Sequence, residues 1–218
     1  MKHRANIGFS QKSDLNSIRK NGLAKISRGE ITNYDPEVLL ASSIDDDQLS
    51  KAFDELQKTY LSNSKDVKEQ KCALMRLLLS YLRAAHWLHW TSHWQVQGPT
   101  SYSDHLMLER LYNSLTESID TLAEKIVGEF GGDSVNPVEQ SYFLIGFVND
   151  IAKTEKGPID RAYKIEKSLQ VILKKVYSKV QSLGAMSLGL DDFIMALANQ
   201  HDTNLYLLVQ RIQGGTGK

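Results

Sequence analysis

Helix breakers cut the chain between Lys65 and Ile212 into four long segments and a shorter one, and this punctuation constrains the fold more than any other feature. The first segment runs from about Lys65 to Val96, where Gly98-Pro99 stops it. Ser101 or Ser103 then caps a second, which runs to about Phe130 and is ended by Gly131-Gly132. Asn136-Pro137 begins a shorter segment to about Ala152, a small helix within the connection. Gly157-Pro158 opens a third long helix striped by Ile165, Leu169, Ile172, Leu173, Val176 and Val180 and ending near Gly184. Asp191 is placed to N-cap the last, which carries Phe193, Leu197, Leu205, Leu208 and Ile212 into Gly214-Gly215. No series of alternating strands with hairpin signals interrupts this pattern, so an all-α four-helix bundle is expected over residues 65–213, with a flexible tail over 214–218.

Two further parts precede the bundle. Residues 1–45 mix Ser, Asn, Gly and Lys without a sustained period, and Asp35-Pro36 breaks any helix begun earlier, so they are expected to form a flexible N-terminal arm. Over residues 46–64, Leu49, Ala52, Phe53, Leu56 and Tyr60 trace the stripe of an additional amphipathic helix. The whole chain is charge-balanced, with 26 basic and 26 acidic side chains, so any electrostatic message must be local. The arm carries one. Lys2, Arg4, Lys12, Arg19, Lys20, Lys25 and Arg28 face only Asp14 and Glu30, which suits phosphate neutralisation on DNA as well as a solvated or docking tail.

Cys72 is the single cysteine and no secretory signal opens the sequence, from which a cytoplasmic setting is expected. The apolar run Ala73 to Leu82 is broken by Arg76 and followed by Arg83, well short of the roughly 20 residues of a membrane span. No membrane partner is expected. Cys72 itself, in an apolar helical stretch, reads as inert core.

The chemistry concentrates between residues 86 and 124. Trp87, Trp90 and Trp94 recur at helical spacing, each preceded by a histidine: His86, His89 and His93. Such an aromatic stripe ordinarily belongs to a core or a subunit interface, and His86 and His89 read as structural polar groups. On the second helix, His105, Glu109, Asp120 and Glu124 fall at roughly 0°, 40°, 60° and 100° around the axis and share one narrow face. Any one of these alone reads as part of a solvated face. His105 and Asp120 are about 22 Å apart along such a helix, so one chain cannot close a single centre with both. Two copies packed antiparallel about a two-fold axis would bring the His105/Glu109 end of one to the Asp120/Glu124 end of the other. Imidazole with carboxylate suits iron, zinc or manganese, and the weight of carboxylates favours iron.

The run His93-Trp94-Gln95-Val96-Gln97-Gly98, followed by His105, Glu109, Asp120 and Glu124, resembles the signature of Dps, the ferritin-like DNA-binding proteins from starved cells. That family shows His-Trp-x-x-x-Gly, then a His, two Asp and a Glu at the offsets found here from His93, namely 12, 16, 27 and 31. The departure is Glu109, where the family usually has Asp. The resemblance covers about Lys65 to Ile212 and implies a ferritin-like bundle with its short helix in the B-C connection. It further implies a ferroxidase centre in which His93, His105 and Glu109 of one subunit join Asp120 and Glu124 of its neighbour, with two such iron sites at each two-fold interface. Trp94 would stand beside the iron and accept oxidising equivalents. A homo-oligomeric cage, a dodecamer, would store the ferric product, and Asp191 and Asp192 sit where relatives place the acidic lining of an iron-entry pore. The N-cap reading of Asp191 competes with that.

Three classes of function therefore stand at this level. An Fe(II) oxidase using hydrogen peroxide would protect DNA from oxidative damage. A DNA-condensing protein would use the arm of residues 1–30 in the cytoplasm, in association with the nucleoid. A structural or assembly protein would keep the cage and recruit a partner through its N-terminal extension. The Glu-x-x-His pairs of an intrasubunit di-iron bundle are absent, because no histidine has a Glu three residues before it, and His-Glu-x-x-His is absent as well.

Overall fold

The structure, a computed structural model, describes residues 65–152 and 157–214. The arm of residues 1–45, the helix expected over 46–64 and the tail beyond Gly214 lie outside the described residues. Among the described residues five α-helices follow in chain order: α1 Val67–Gln95, α2 Ser101–Phe130, α3 Pro137–Ala152, α4 Pro158–Ser182 and α5 Leu188–Gly214. A single 3-10 turn, Gly132–Val135, joins α2 to α3. Each long helix begins and ends within a few residues of the breakers, because capping and termination are decided by local backbone chemistry.

Asp66 caps α1 by accepting a hydrogen bond from the Lys68 amide at 2.8 Å, and Asn136 does the same for α3 through the amide of Val138. Two caps differ from expectation. Thr100, not Ser101 or Ser103, occupies the N-cap position of α2, and Ser103 instead turns its hydroxyl back to the Thr100 carbonyl. The last helix begins at Leu188, three residues before Asp191. Ser187 serves that end, its carbonyl accepting from the amides of Leu190 and Asp191 and its hydroxyl from Leu190. Asp191 thus sits in the first turn, where its charge opposes the positive end of the helix dipole.

The end of α4 shows why a glycine is required. Gly184 has φ +64°, its amide donates to the Gln181 carbonyl, and the following amide of Ala185 donates to Val180. This pair of bonds forms a Schellman motif, which satisfies the last carbonyls only when the residue past the cap is left-handed.

Helix α1 packs against α2, α3 and α4, and α4 packs against α5. Short connections make α1–α2 and α4–α5 antiparallel pairs, while the longer α2–α4 connection crosses the bundle and carries α3. Leu74, Leu78 and Leu82 of α1 and Leu115 and Leu122 of α2 build the core together with the expected α4 stripe of Ile165, Leu169, Ile172, Leu173, Val176 and Val180, all buried. A smaller cluster of Leu108, Leu111, Ala162 and Leu208 closes the end of the bundle near His105. Arg76 pairs with Glu139 and Arg83 with Gln140, fastening α3 across α1. Cys72 is half-buried on α1 rather than sealed in the core.

The tryptophan stripe of α1 is not core. Trp87, Trp90 and Trp94 are 49%, 43% and 63% exposed, while the histidine one residue ahead of two of them turns inward: His89 and His93 are buried. A one-residue step is a 100° rotation, enough to put the two stripes on different faces.

Candidate metal centre

His93, near the C-terminal end of α1, meets His105 and Glu109 from the first turns of α2. Each can offer one ligand atom such that all three atoms lie within 4.8 Å of one another. The short connection after Gly98 (φ +88°) folds the two helix ends together, and i, i+4 spacing puts His105 and Glu109 on the same side of α2. The imidazoles overlap with 3.6 Å between ring centroids.

Hydrogen bonding settles one tautomer. His105 Nδ1 lies 3.2 Å from the His93 carbonyl oxygen, and a carbonyl only accepts, so Nδ1 carries the proton and Nε2 presents its lone pair. Burial, then the neighbouring His105, hold the pKa of His93 below the ordinary imidazole value, while Glu109 pulls the other way. A neutral imidazole is the form that ligates. His93 Nδ1 is buried without a hydrogen-bond partner among the described residues, a cost that a cation held by this group would offset.

Both helix ends are braced from α4 and α5. Arg161 of α4 donates to Ser92 Oγ at 3.1 Å and Gln95 Oε1 at 2.7 Å, on either side of His93. Arg211 of α5 grips buried Asp104 through two hydrogen bonds, Nε to Oδ1 at 2.5 Å and Nη2 to Oδ2 at 2.8 Å, and reaches Thr100 as well. Asp104 immediately precedes His105, so this clamp fixes the turn that presents the ligand.

The remaining two expected ligands do not join this group within one chain. Asp120 is exposed and lines an open groove with Arg83, Glu117 and Gln140. Glu124, one turn further along α2, is also exposed. Trp94 lies 6.4 Å from His93, ring to ring. At the start of α5, Asp192 is exposed and Asp191 half-buried, hydrogen-bonded to the Tyr177 hydroxyl, which raises the phenol's pKa.

Sequence reading missed a second constellation. Glu166, fully buried in the middle of α4, is held between His89 Nε2 at 2.9 Å on Oε1 and His201 Nδ1 at 2.5 Å on Oε2, with Asn204 Nδ2 at 3.3 Å. Burial by itself would raise the pKa of this carboxyl, but the hydrogen bonds from His201 and His89 and their charges overcome it and hold it at about 2. The carboxylate stands between the imidazoles, one on each oxygen, so it bridges them by hydrogen bonds. The only hint in the sequence was His201 and Asn204 occupying the core stripe of α5.

No protein-family model matches the sequence. Among curated proteins, an uncharacterized low temperature-induced protein of Nostoc sp. and its homolog in Anabaena variabilis are each 25% identical over 124 residues, 56% of this chain and 68% of theirs. Solved structures are more informative. DpsC from Streptomyces coelicolor superposes with a TM-score of 0.56 at 18% identity, over 69% of this chain and 88% of that one. The fold is the Dps fold. Dps from Microbacterium arborescens, in its high iron form, gives a TM-score of 0.55 at 14% identity over 69% and 97% of the two chains. Mycobacterium smegmatis Dps gives 0.57 at 17% over 72% and 95%. The ferritin-like bundle and its short crossover helix are therefore as expected, and the described part of this Dps-like chain has no helix long and apolar enough to cross a membrane.

Proposed function

We propose that this Dps-like protein oxidises Fe(II), with hydrogen peroxide as oxidant, at centres shared between two copies of the chain. In this reading Fe(II) is the substrate, held by His93, His105 and Glu109 of one subunit and by Asp120 and Glu124 of the next. The observation that carries it is the convergence of the first three on one point, with the His105 tautomer fixed for ligation. Carboxylates favour Fe(III) over Fe(II) and so assist electron loss. The exposed positions of Asp120 and Glu124 on the same helix leave them available to a second copy. Closed assembly as a dodecamer stores the ferric product, with Asp191 and Asp192 near its entry route, and protects DNA from oxidative damage in the cytoplasm.

The test is complementation between subunits. His93→Ala and Asp120→Ala proteins, each inactive, should regain some Fe(II) oxidation when co-assembled, because some centres then receive all five wild-type ligands. Verified mixed particles without recovered activity would refute the shared geometry.

A second reading rests on the basic excess of the arm: Lys2, Arg4, Lys12, Arg19, Lys20, Lys25 and Arg28 condense DNA from a multivalent particle. A salt-sensitive mobility shift that disappears on deleting residues 1–30 supports it, and unchanged binding contradicts it.

A further inference from the structure

The ligand-bearing face of α2 carries apolar side chains at both ends. With His105 set at 0° around the helix, the buried stripe of Leu108, Leu111, Leu115 and Leu122 centres near roughly 270°, while Tyr102 and Val127 fall at roughly 60° and 40°. Those are also the angles of Asp120 and Glu109. Tyr102 and Val127 therefore end the ligand seam on the side turned away from the core, and they are 76% and 38% exposed. Asn113, exposed as well, lies between them at roughly 80°.

Spacing along the helix ties the two ends together. Glu109 and Asp120 are equally far from a midpoint between Ser114 and Leu115, and so are His105 and Glu124. A two-fold axis through that midpoint brings each half of the ligand set to its complement on an antiparallel copy of α2. Tyr102 and Val127 share the same midpoint, so the register that assembles the centres also sets each tyrosine against the other copy's valine. Each centre lies about 14 Å from the axis, and short carboxylate side chains close it only where the helices still run side by side, at a shallow crossing of about 20°. Tyr102 precedes His105 by three residues and Val127 follows Glu124 by three, a further step of about 5 Å.

We infer that Tyr102 packs on Val127 of the partner subunit and closes the outer end of each shared centre, so that a second copy of this chain occupies this face. The inference rests on the shared-site part of the ferroxidase reading and adds to it the contact that sets the register. Phenol ring meets isopropyl group, which removes water from one side of the ligands and strengthens their hold on a cation. Symmetry makes the contact twice at each two-fold interface.

The test uses the full-length chain with Cys72→Ser, oxidised by diamide in the presence of a chelator, so that iron plays no part in the readout. Tyr102→Cys/Val127→Cys should give a covalent dimer on a non-reducing gel, with the linkage mapped between chains, because the two positions lie about 37 Å apart within one helix. Tyr102→Cys/Ala123→Cys, one turn out of register, should give little. No dimer from the first pair, or equal yields from both, would overturn the inference. Sedimentation of diluted particles is the second measurement: Tyr102→Ser should weaken self-association by about tenfold or more, and Tyr102→Phe should not. Equal dissociation of wild type and Tyr102→Ser would overturn the inference too. Loss of the cross-link in particles that still regain Fe(II) oxidation from mixed His93→Ala and Asp120→Ala subunits sinks this contact alone. A cross-linked dimer that oxidises Fe(II) no faster after reduction than His93→Ala supports the contact and sinks the ferroxidase reading.

Discussion

His105 overlaps the ring of His93 at 3.6 Å between centroids and spends its Nδ1 proton on the backbone carbonyl of that same residue. One histidine thus orients the other: the contact between α1 and α2 fixes both where the second imidazole sits and which nitrogen remains free to ligate. Glu109, one turn along α2, completes the group.

Because Glu109 supplies the only carboxylate of this group, Glu109→Gln keeps the shape and removes the charge. Fe(II) oxidation should fall by more than about tenfold, the lower end of what even outer partners of a metal ligand cost. Glu109→Asp, the residue usual in the Dps signature, should retain most of the rate. Stopped-flow absorbance of the ferric product gives both numbers, and equal rates for wild type and Glu109→Gln would remove Glu109 from the site.

Glu166 makes the bundle sensitive to acid. Its folded pKa of about 2 lies below the ordinary 4.5, so its stabilisation is complete above the unfolded value and is lost as pH falls through the folded one. Glu166→Gln should cost about 3 kcal/mol near neutral pH, since it breaks a buried charged group away from two imidazoles. Urea midpoints of the two proteins should converge as pH drops from 4.5 towards 2. A constant gap across that window would show that ionisation of Glu166 is not what stabilises the core.

Arg211 secures the N-terminal turn of α2 from the far end of α5, with burial of Asp104 strengthening the pair. Arg211→Ala leaves Asp104 without its main partner and should destabilise the fold by about 1–3 kcal/mol. Amide hydrogen exchange is the sharper measurement. Residues 101–105 should exchange faster in the variant, and protection equal to wild type would mean that the clamp does not hold the ligand-bearing turn.

Gly184→Ala forces a Cβ into the left-handed position that closes α4. No neighbouring atom lies within 4 Å of that Cβ, so the penalty is purely conformational, about 1 kcal/mol. Thermal or urea unfolding should register that loss, and an unchanged midpoint would argue that Gly184 is not held left-handed.

The helices were legible in the sequence because their causes are local. Gly98-Pro99, Gly131-Gly132 and Gly157-Pro158 break the chain wherever they stand, and the apolar stripe of α4 from Ile165 to Val180 is buried as its period requires. Three of the candidate ligands, His93, His105 and Glu109, were legible as a group too, at fixed offsets along two neighbouring helices. What the tertiary structure decided was rotation and register. It brings His93 to His105 and Glu109, and leaves Asp120 and Glu124 on an open face. It turns the tryptophans outward and His89 inward, and starts α5 at Leu188 rather than at Asp191. Above all it joins Glu166 to His89 and His201, partners 77 and 35 residues away. Helix periodicity says which residues share a face, but which faces meet depends on how three helices pack around one core, and no local signal encodes that.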